Sequence, residues 1–259
     1  MTAPIPRDIP DLPAVPGMPK PLSSPVPAAA VLTPVRRPFA AAFRLLTALL
    51  AVTGVTIALL LGGPLRALSH FTVQSAILLA LVLTLSACRA WTARHPLPAA
   101  LTGAALLYVL TAALVHHLLL ADAAGPSSLT GGAVTGLRST ADHLLHTAVP
   151  IAAALDWLLL TAPGRLRLRH AAPWLLFPLA YLAFSLLRSE ILVTGTTARH
   201  LYPFLDIARH GYKGVLGNAL LLGLSLYALA VLLVGLDHAR PDPTRRRPKT
   251  GFRLQPPVG

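Results

Sequence analysis

Six runs of about 20 apolar residues, each closed off by glycine, proline or charged residues, leave this 259-residue chain few ways to fold. An α-helix rises 1.5 Å per residue, so about 20 residues cross a hydrocarbon core of roughly 30 Å. Six such helices and their loops use nearly the whole length. The runs cover residues 39–61, 71–88, 97–120, 142–162, 172–194 and 213–236. They stop at Gly62-Gly63-Pro64, at Arg89 with Arg94, at residues 125–128, at Pro163-Gly164, at Gly195 and at Asp237. The expected fold is all-α, a polytopic membrane protein built as a six-transmembrane-helix bundle over residues 39–236. Residues 1–38 hold Pro4, Pro6, Pro10, Pro13 and further prolines with little to form a core, and are expected to be a disordered tail. Residues 237–259 are expected to be a basic tail.

Composition agrees with this class: 54% of residues are hydrophobic and 12% charged, too apolar for a soluble domain of this size. The net charge of +13 raises nucleic acid as a partner. The arginines, however, sit in tails and short loops between apolar runs, where topology and anionic lipid account for them, so no nucleic-acid partner is expected. Short cytoplasmic loops carry the excess of positive charge. With the N-terminus inside, the inner segments hold Arg36, Arg37, Arg89, Arg94, Arg165, Arg167, Arg169 and the cluster from Arg240, whereas the outer loops hold only Arg66, Arg138, Arg199, Arg209 and Lys213. Both termini are therefore expected in the cytoplasm. The first apolar run follows a long polar tail, which reads as a retained anchor and not a cleaved signal. The dominance of Ala, Leu, Pro and Arg suggests a GC-rich bacterial genome, and so a bacterial inner membrane.

Under this topology the ionisable and hydrogen-bonding residues gather at the outer ends of the helices. His70 and Thr72 open the second run, His116 and His117 close the third, and Asp142, His143 and His146 open the fourth. Arg188 and Glu190 close the fifth, and His200, Tyr202, Asp206, His210 and Tyr212 follow it, with Asn218 entering the sixth. Ionisable groups are expensive in a bilayer and usually face a bundle interior or wet cavity, so the cluster marks a candidate site. The bland alternative is that each simply reaches interfacial water.

Asp142, His143, His146, Thr147 and Pro150 recur at spacings of three and four, which places them on one helix face. Pro150 lacks the N–H that would reach the carbonyl of His146, leaving that oxygen for a neighbour or a water. Thr72 and Ser75 begin at the depth of His146, so a hydroxyl and an imidazole are expected to meet. That pair is the minimum for nucleophilic catalysis, because a threonine hydroxyl attacks only when an adjacent base takes its proton. Hydroxyls in membrane helices also bond to neighbouring helices or their own carbonyls. No cofactor and no metal are expected. Cys88 is the only cysteine, and adjacent His116 and His117 diverge on a helix with no His-Glu-x-x-His motif present. Asp156 is expected to pair with Arg165 or a neighbouring loop arginine, and Gly54, Gly103 and Gly223 to mark close helix packing.

Several phrases resemble the bacterial Pr-six-Pr membrane protein family: His-Phe-Thr-Val-Gln-Ser from His70, His-Leu-Leu-His-Thr-Ala-Val-Pro from His143, Leu-Asp-Trp from Leu155, Trp-Leu-Leu-Phe-Pro-Leu-Ala-Tyr from Trp174 and Tyr-Pro-Phe-Leu-Asp from Tyr202. The likeness spans residues 39–236. One departure is Ala76, where such proteins often carry asparagine after Gln-Ser. The group is in turn similar, more distantly, to the androgen-induced membrane proteins, threonine hydrolases of fatty acid esters of hydroxy fatty acids. That resemblance implies a nucleophile at Thr72 and its histidine at His146, with His143 beside it. Asp142 or His143 would orient the imidazole, Arg188 would meet a carboxylate or phosphate head group, and Tyr202 and Asp206 would support the site. The implied ligand is a membrane lipid or acyl chain. The competing classes are a transporter or channel, with the same polar residues as a vestibule, and a scaffold whose proline-rich tail binds a partner.

Overall fold

The computed structural model describes residues 35–120, 135–191 and 201–241. The expected disordered tail up to Pro34, the loop at residues 125–128, Gly195, Arg199, His200 and the basic stretch from residue 242 lie outside the described residues. Among the described residues there are helices and turns and no strand: α1 (Pro38–Gly62), the short α2 (Pro64–Leu68), α3 (Phe71–Trp91), α4 (Ala99–Leu120), α5 (Gly136–Leu160), α6 (Leu168–Ile191) and α7 (Ile207–Ala239). All but α2 are long and apolar enough to cross a membrane, the architecture of a multi-pass membrane protein. Many large apolar side chains point outward, among them Leu60, Leu81, Leu159, Leu187 and Leu220. In water this surface would be an aggregation liability, and against acyl chains it is the proper solvent-facing side.

Two starts differ from the sequence expectation. α5 begins a turn and a half before Asp142, because the polar segment Thr135–His143 is already helical. α7 begins at Ile207 and bends at Gly211, whose φ of 65° lies in the left-handed region that glycine adopts without penalty. At its other end α7 continues through Ala239, so Asp237 is a buried helical residue and not the start of a tail.

Helix α1 packs along α3, α3 along α4, and α5 lies against both α1 and α4. Small residues set how close these axes come. A Cβ on Gly54 would meet Leu145 of α5 at 2.9 Å, and one on Gly103 would meet the Trp174 ring at 2.6 Å, as expected of close packing. Gly223 departs from that expectation: nothing lies within 4 Å of its missing Cβ. Trp174 is buried between α4 and α6, its indole donating to the Ala100 carbonyl at 2.8 Å while its own carbonyl accepts from the Tyr108 hydroxyl at 2.9 Å.

The end of the bundle opposite Thr72 is held by buried charges. Arg44 of α1 meets Asp156 of α5 at 2.8 Å, and Thr161 bonds to both. The expected partner for Asp156 was a loop arginine such as Arg165. An arginine buried inside an apolar span has the stronger need for a counter-ion, and Arg44 occupies the site. Nearby, Asp237 accepts from the backbone N–H of Leu166 at 2.8 Å and from Arg240 at 3.0 Å, and the Arg240 guanidinium lies over the Trp157 ring and donates to the Trp157 and Thr161 carbonyls. The end of α7 is thereby tied to α5 and to the α5–α6 turn.

Candidate functional site

Helix hydroxyls in this protein mostly return to their own backbone. Thr47, Thr53, Thr56, Thr84 and Thr111 each donate to the carbonyl four residues back. Thr72 has no such option, because it is the second residue of α3 and its helix offers no carbonyl four residues earlier. Its Oγ1 instead lies 3.2 Å from Nε2 of His146 on α5, with both side chains buried.

The other imidazole nitrogen decides the roles. His146 Nδ1 is 3.1 Å from the carbonyl oxygen of Asp142, which only accepts, so Nδ1 carries the ring proton. Nε2 then presents its lone pair to Thr72, and the threonine hydroxyl donates to it. This is the geometry of a nucleophile and its general base, with a backbone carbonyl as the orienting group. The ring is further held by His116 of α4, stacked on it at 3.8 Å and 12°. His117 donates from Nε2 to the carbonyl oxygen of His146 at 3.1 Å, so the oxygen that Pro150 leaves without an N–H finds a side-chain donor.

The local backbone departs from a regular α-helix on both facing elements. Residues His116–Leu120 and Leu144–Ala148 each form a π turn. Such turns shift the residues after them around the axis and recur at functional sites. The expected single face from Asp142 to Pro150 is therefore broken. His146 and Pro150 are buried, whereas His143 is exposed and does not hold the imidazole. Asp142 orients the ring through its carbonyl oxygen and not its carboxylate, of which Oδ1 is buried with no hydrogen-bond partner.

Tyr202, from the segment before α7, is buried against the first turn of α3. Burial raises the pKa of its hydroxyl and holds it protonated, and the neighbouring Tyr181 and Thr72 hydroxyls and the backbone of Phe71 and Thr72 act in the opposite direction. Tyr181 in turn donates to the carbonyl of Ser69 at 3.0 Å. His70 donates from Nδ1 to the Arg66 carbonyl at 2.8 Å, and its pKa is lowered by burial and by the positive charges of Arg66 and Arg188. Asp206 caps α7, accepting from the N–H groups of Ala208 and Arg209. Ser75, which shares a helix face with Thr72, donates to the Thr72 carbonyl.

Thr72, His146, His70, His116, Tyr181 and Tyr202 line one end of a cavity of about 530 Å³. The rest of its wall is apolar and comes mainly from α4, α6 and α7, including Leu179, Leu220 and Leu224. Its size lies within the usual range of ligand sites, about 300–1,000 Å³, and its few convergent polar groups at one end are typical of one. Among the described residues no group of three or more His, Cys, Asp or Glu side chains is placed to hold a metal ion. The roles of His116, His117 and Tyr181 and the burial of Arg44 are not distinguishable by spacing, since each depends on which helices become neighbours. Comparison with protein-family models, with curated proteins and with solved structures finds no match to this chain.

Proposed function

We propose that this membrane protein hydrolyses a lipid ester, with Thr72 as nucleophile and His146 as general base. The observation that carries the reading is the Thr72–His146 contact with Nδ1 of the imidazole committed to the Asp142 carbonyl. The likeness to the Pr-six-Pr proteins and the threonine hydrolases supports the same pair. Thr72 Oγ1 attacks the ester carbonyl carbon as its proton passes to His146 Nε2. The developing oxyanion is met by the Tyr202 hydroxyl, a protonated donor beside Thr72. Collapse of the tetrahedral intermediate breaks the bond to the alcohol oxygen, which takes the proton from Nε2 and departs, leaving an acyl-threonine. A water molecule then gives its proton to His146 and attacks the acyl carbon, and the acid is released as the proton returns to Thr72.

The apolar remainder of the cavity suits an acyl chain, and the positive-inside topology puts the reacting end in the outer half of a bacterial inner membrane. A direct test is labelling of the detergent-purified protein by a fluorophosphonate probe, which phosphonylates an activated hydroxyl. Thr72→Ala is expected to abolish labelling, and His146→Ala to slow it about 100-fold or more, the scale of a lost general base. A wild-type protein that fails to label, or variants that label as wild type does, would replace hydrolysis with a non-enzymatic binding or transport role.

A further inference from the structure

Three of the hydroxyls on the cavity wall already have acceptors: Thr72 donates to His146 Nε2, Tyr181 to the carbonyl of Ser69 and Thr111 to the carbonyl of Leu107. One acceptor is left over. His70 lines the same end of the cavity, two residues before Thr72, and its Nδ1 lies 2.8 Å from the Arg66 carbonyl oxygen, so the ring carries its proton there. Nε2 therefore holds a lone pair, and among the described residues no group donates to it. Two contacts fix the ring: the bond to Arg66, and Tyr202, whose ring stands edge-on to it at 6.3 Å and 76°. His70 is 2% exposed, and burial keeps it neutral by lowering its pKa. His116 is another imidazole on the wall with no hydrogen bond among the described residues, but it is only partly buried and no bond fixes its tautomer, so water serves either of its nitrogens.

An enclosed lone pair costs little while water fills the cavity and more once a chain displaces that water. With an ester at Thr72 and its acyl chain along Leu179, Leu220 and Leu224, His70 Nε2 is cut off from bulk water. A buried acceptor left without a donor costs the desolvation of that atom. A ligand that brings an O–H to Nε2 avoids this loss, and one that brings only carbon or an ether oxygen does not. Carbonyl and carboxylate oxygens only accept, so they are no partners for this lone pair. Sites built to bond a substrate hydroxyl reject the analogue lacking it for the same reason.

We propose that His70 selects the substrate: its Nε2 accepts a hydrogen bond from a free hydroxyl on the alcohol part of the lipid ester, so the site takes an ester of a polyol, the chemistry of a monoacylglycerol, in preference to an ester of a simple alcohol. The proposal rests on the Thr72 end being the lipid-ester site. It concerns binding, and so does not require Thr72 to be a working nucleophile.

The experiment uses the full-length wild type in a neutral maltoside detergent, with ether ligands that offer no ester to cleave. Displacement of the fluorescent fatty acid cis-parinarate is followed with 1-O-hexadecylglycerol and with its 2,3-di-O-methyl ether, which has the same chain and no hydroxyl. The glycerol ether is expected to compete about tenfold better. Partition into detergent is common to all variants, so the ratio of the two affinities is compared from one variant to the next. His70→Asn keeps an amide N–H at the position of Nδ1 for the Arg66 carbonyl but places nothing at Nε2, and should cut the preference about tenfold. His70→Gln carries its amide oxygen to the position of Nε2 and should recover most of it. The carboxylate of parinarate has no O–H at neutral pH, so its own affinity should not fall in either variant. Equal competition by the two ethers, or a preference that survives in His70→Asn, overturns the proposal and assigns Nε2 to a water. A wild type from which neither ether displaces parinarate has no lipid site at this end, which overturns both readings. Fluorophosphonate labelling is read separately, so a protein that fails to label yet shows the preference keeps this result.

Discussion

Asparagine at position 156 removes the charge that Arg44 needs and changes little else, since Thr161 keeps a side-chain oxygen to donate to. Arg44 and Asp156 are 8% and 6% exposed and meet at 2.8 Å, far from the solvated pairs whose removal costs almost nothing. Removing one partner of such a buried pair costs about 3–5 kcal/mol, because the remaining charge is left unpaired. A domain of this size melts about 2–4 °C lower for each kcal/mol lost, so Asp156→Asn is expected to lower the detergent melting midpoint by about 6–20 °C. The matching double variant, Arg44→Met with Asp156→Leu, buries no charge and is expected to melt near the wild type. Intrinsic fluorescence or light scattering on heating reads both. Because the pair sits at the end away from Thr72, the folded fraction of Asp156→Asn should label with fluorophosphonate at the wild-type rate. A loss under about 1 kcal/mol would mean that the pair is as weak as a surface one. A double variant as damaged as the single would mean that shape, not charge, holds α1 to α5.

Two further outcomes test the cavity and the buried His70 at its polar end. Gly223→Phe places a ring where a Cβ meets nothing within 4 Å, on the cavity wall. Each methylene displaced costs about 0.8 kcal/mol, so excluding two should weaken binding of the fluorescent fatty acid cis-parinarate about tenfold while the melting midpoint stays within about 2 °C; unchanged affinity would put the acyl chain elsewhere. His70 is buried with its pKa held below 6.5, so the unfolded chain binds this proton more readily than the folded one. Its contribution is steady above pH 6.5 and falls as pH drops from 6.5 toward the lowered folded value. His70→Gln should therefore lose less stability than wild type between pH 7 and pH 5 in thermal melts, and parallel curves would show that His70 titrates as an exposed imidazole does.

The number of spans, their limits to within a few turns and the gathering of polar groups at one end were all legible in the sequence, because membrane crossing depends on local apolarity and length alone. The Thr72–His146 meeting was also legible, since with alternating spans two helix starts share a depth. Tertiary structure decided what depth cannot. His143 faces outward just before the π turn at Leu144–Ala148 and His146 lies buried within it, and the orienting role falls to the backbone carbonyl of Asp142 where the spacing suggested a carboxylate or His143. Lateral neighbourhood settled the rest: Arg44 lies 112 residues from Asp156 and Tyr202 reaches Thr72 from the segment before α7. Gly54 and Gly103 sit at helix contacts, whereas Gly223 opens onto a cavity. Apolar periodicity fixes how far along the membrane normal each residue lies, and only packing fixes which helix stands beside it.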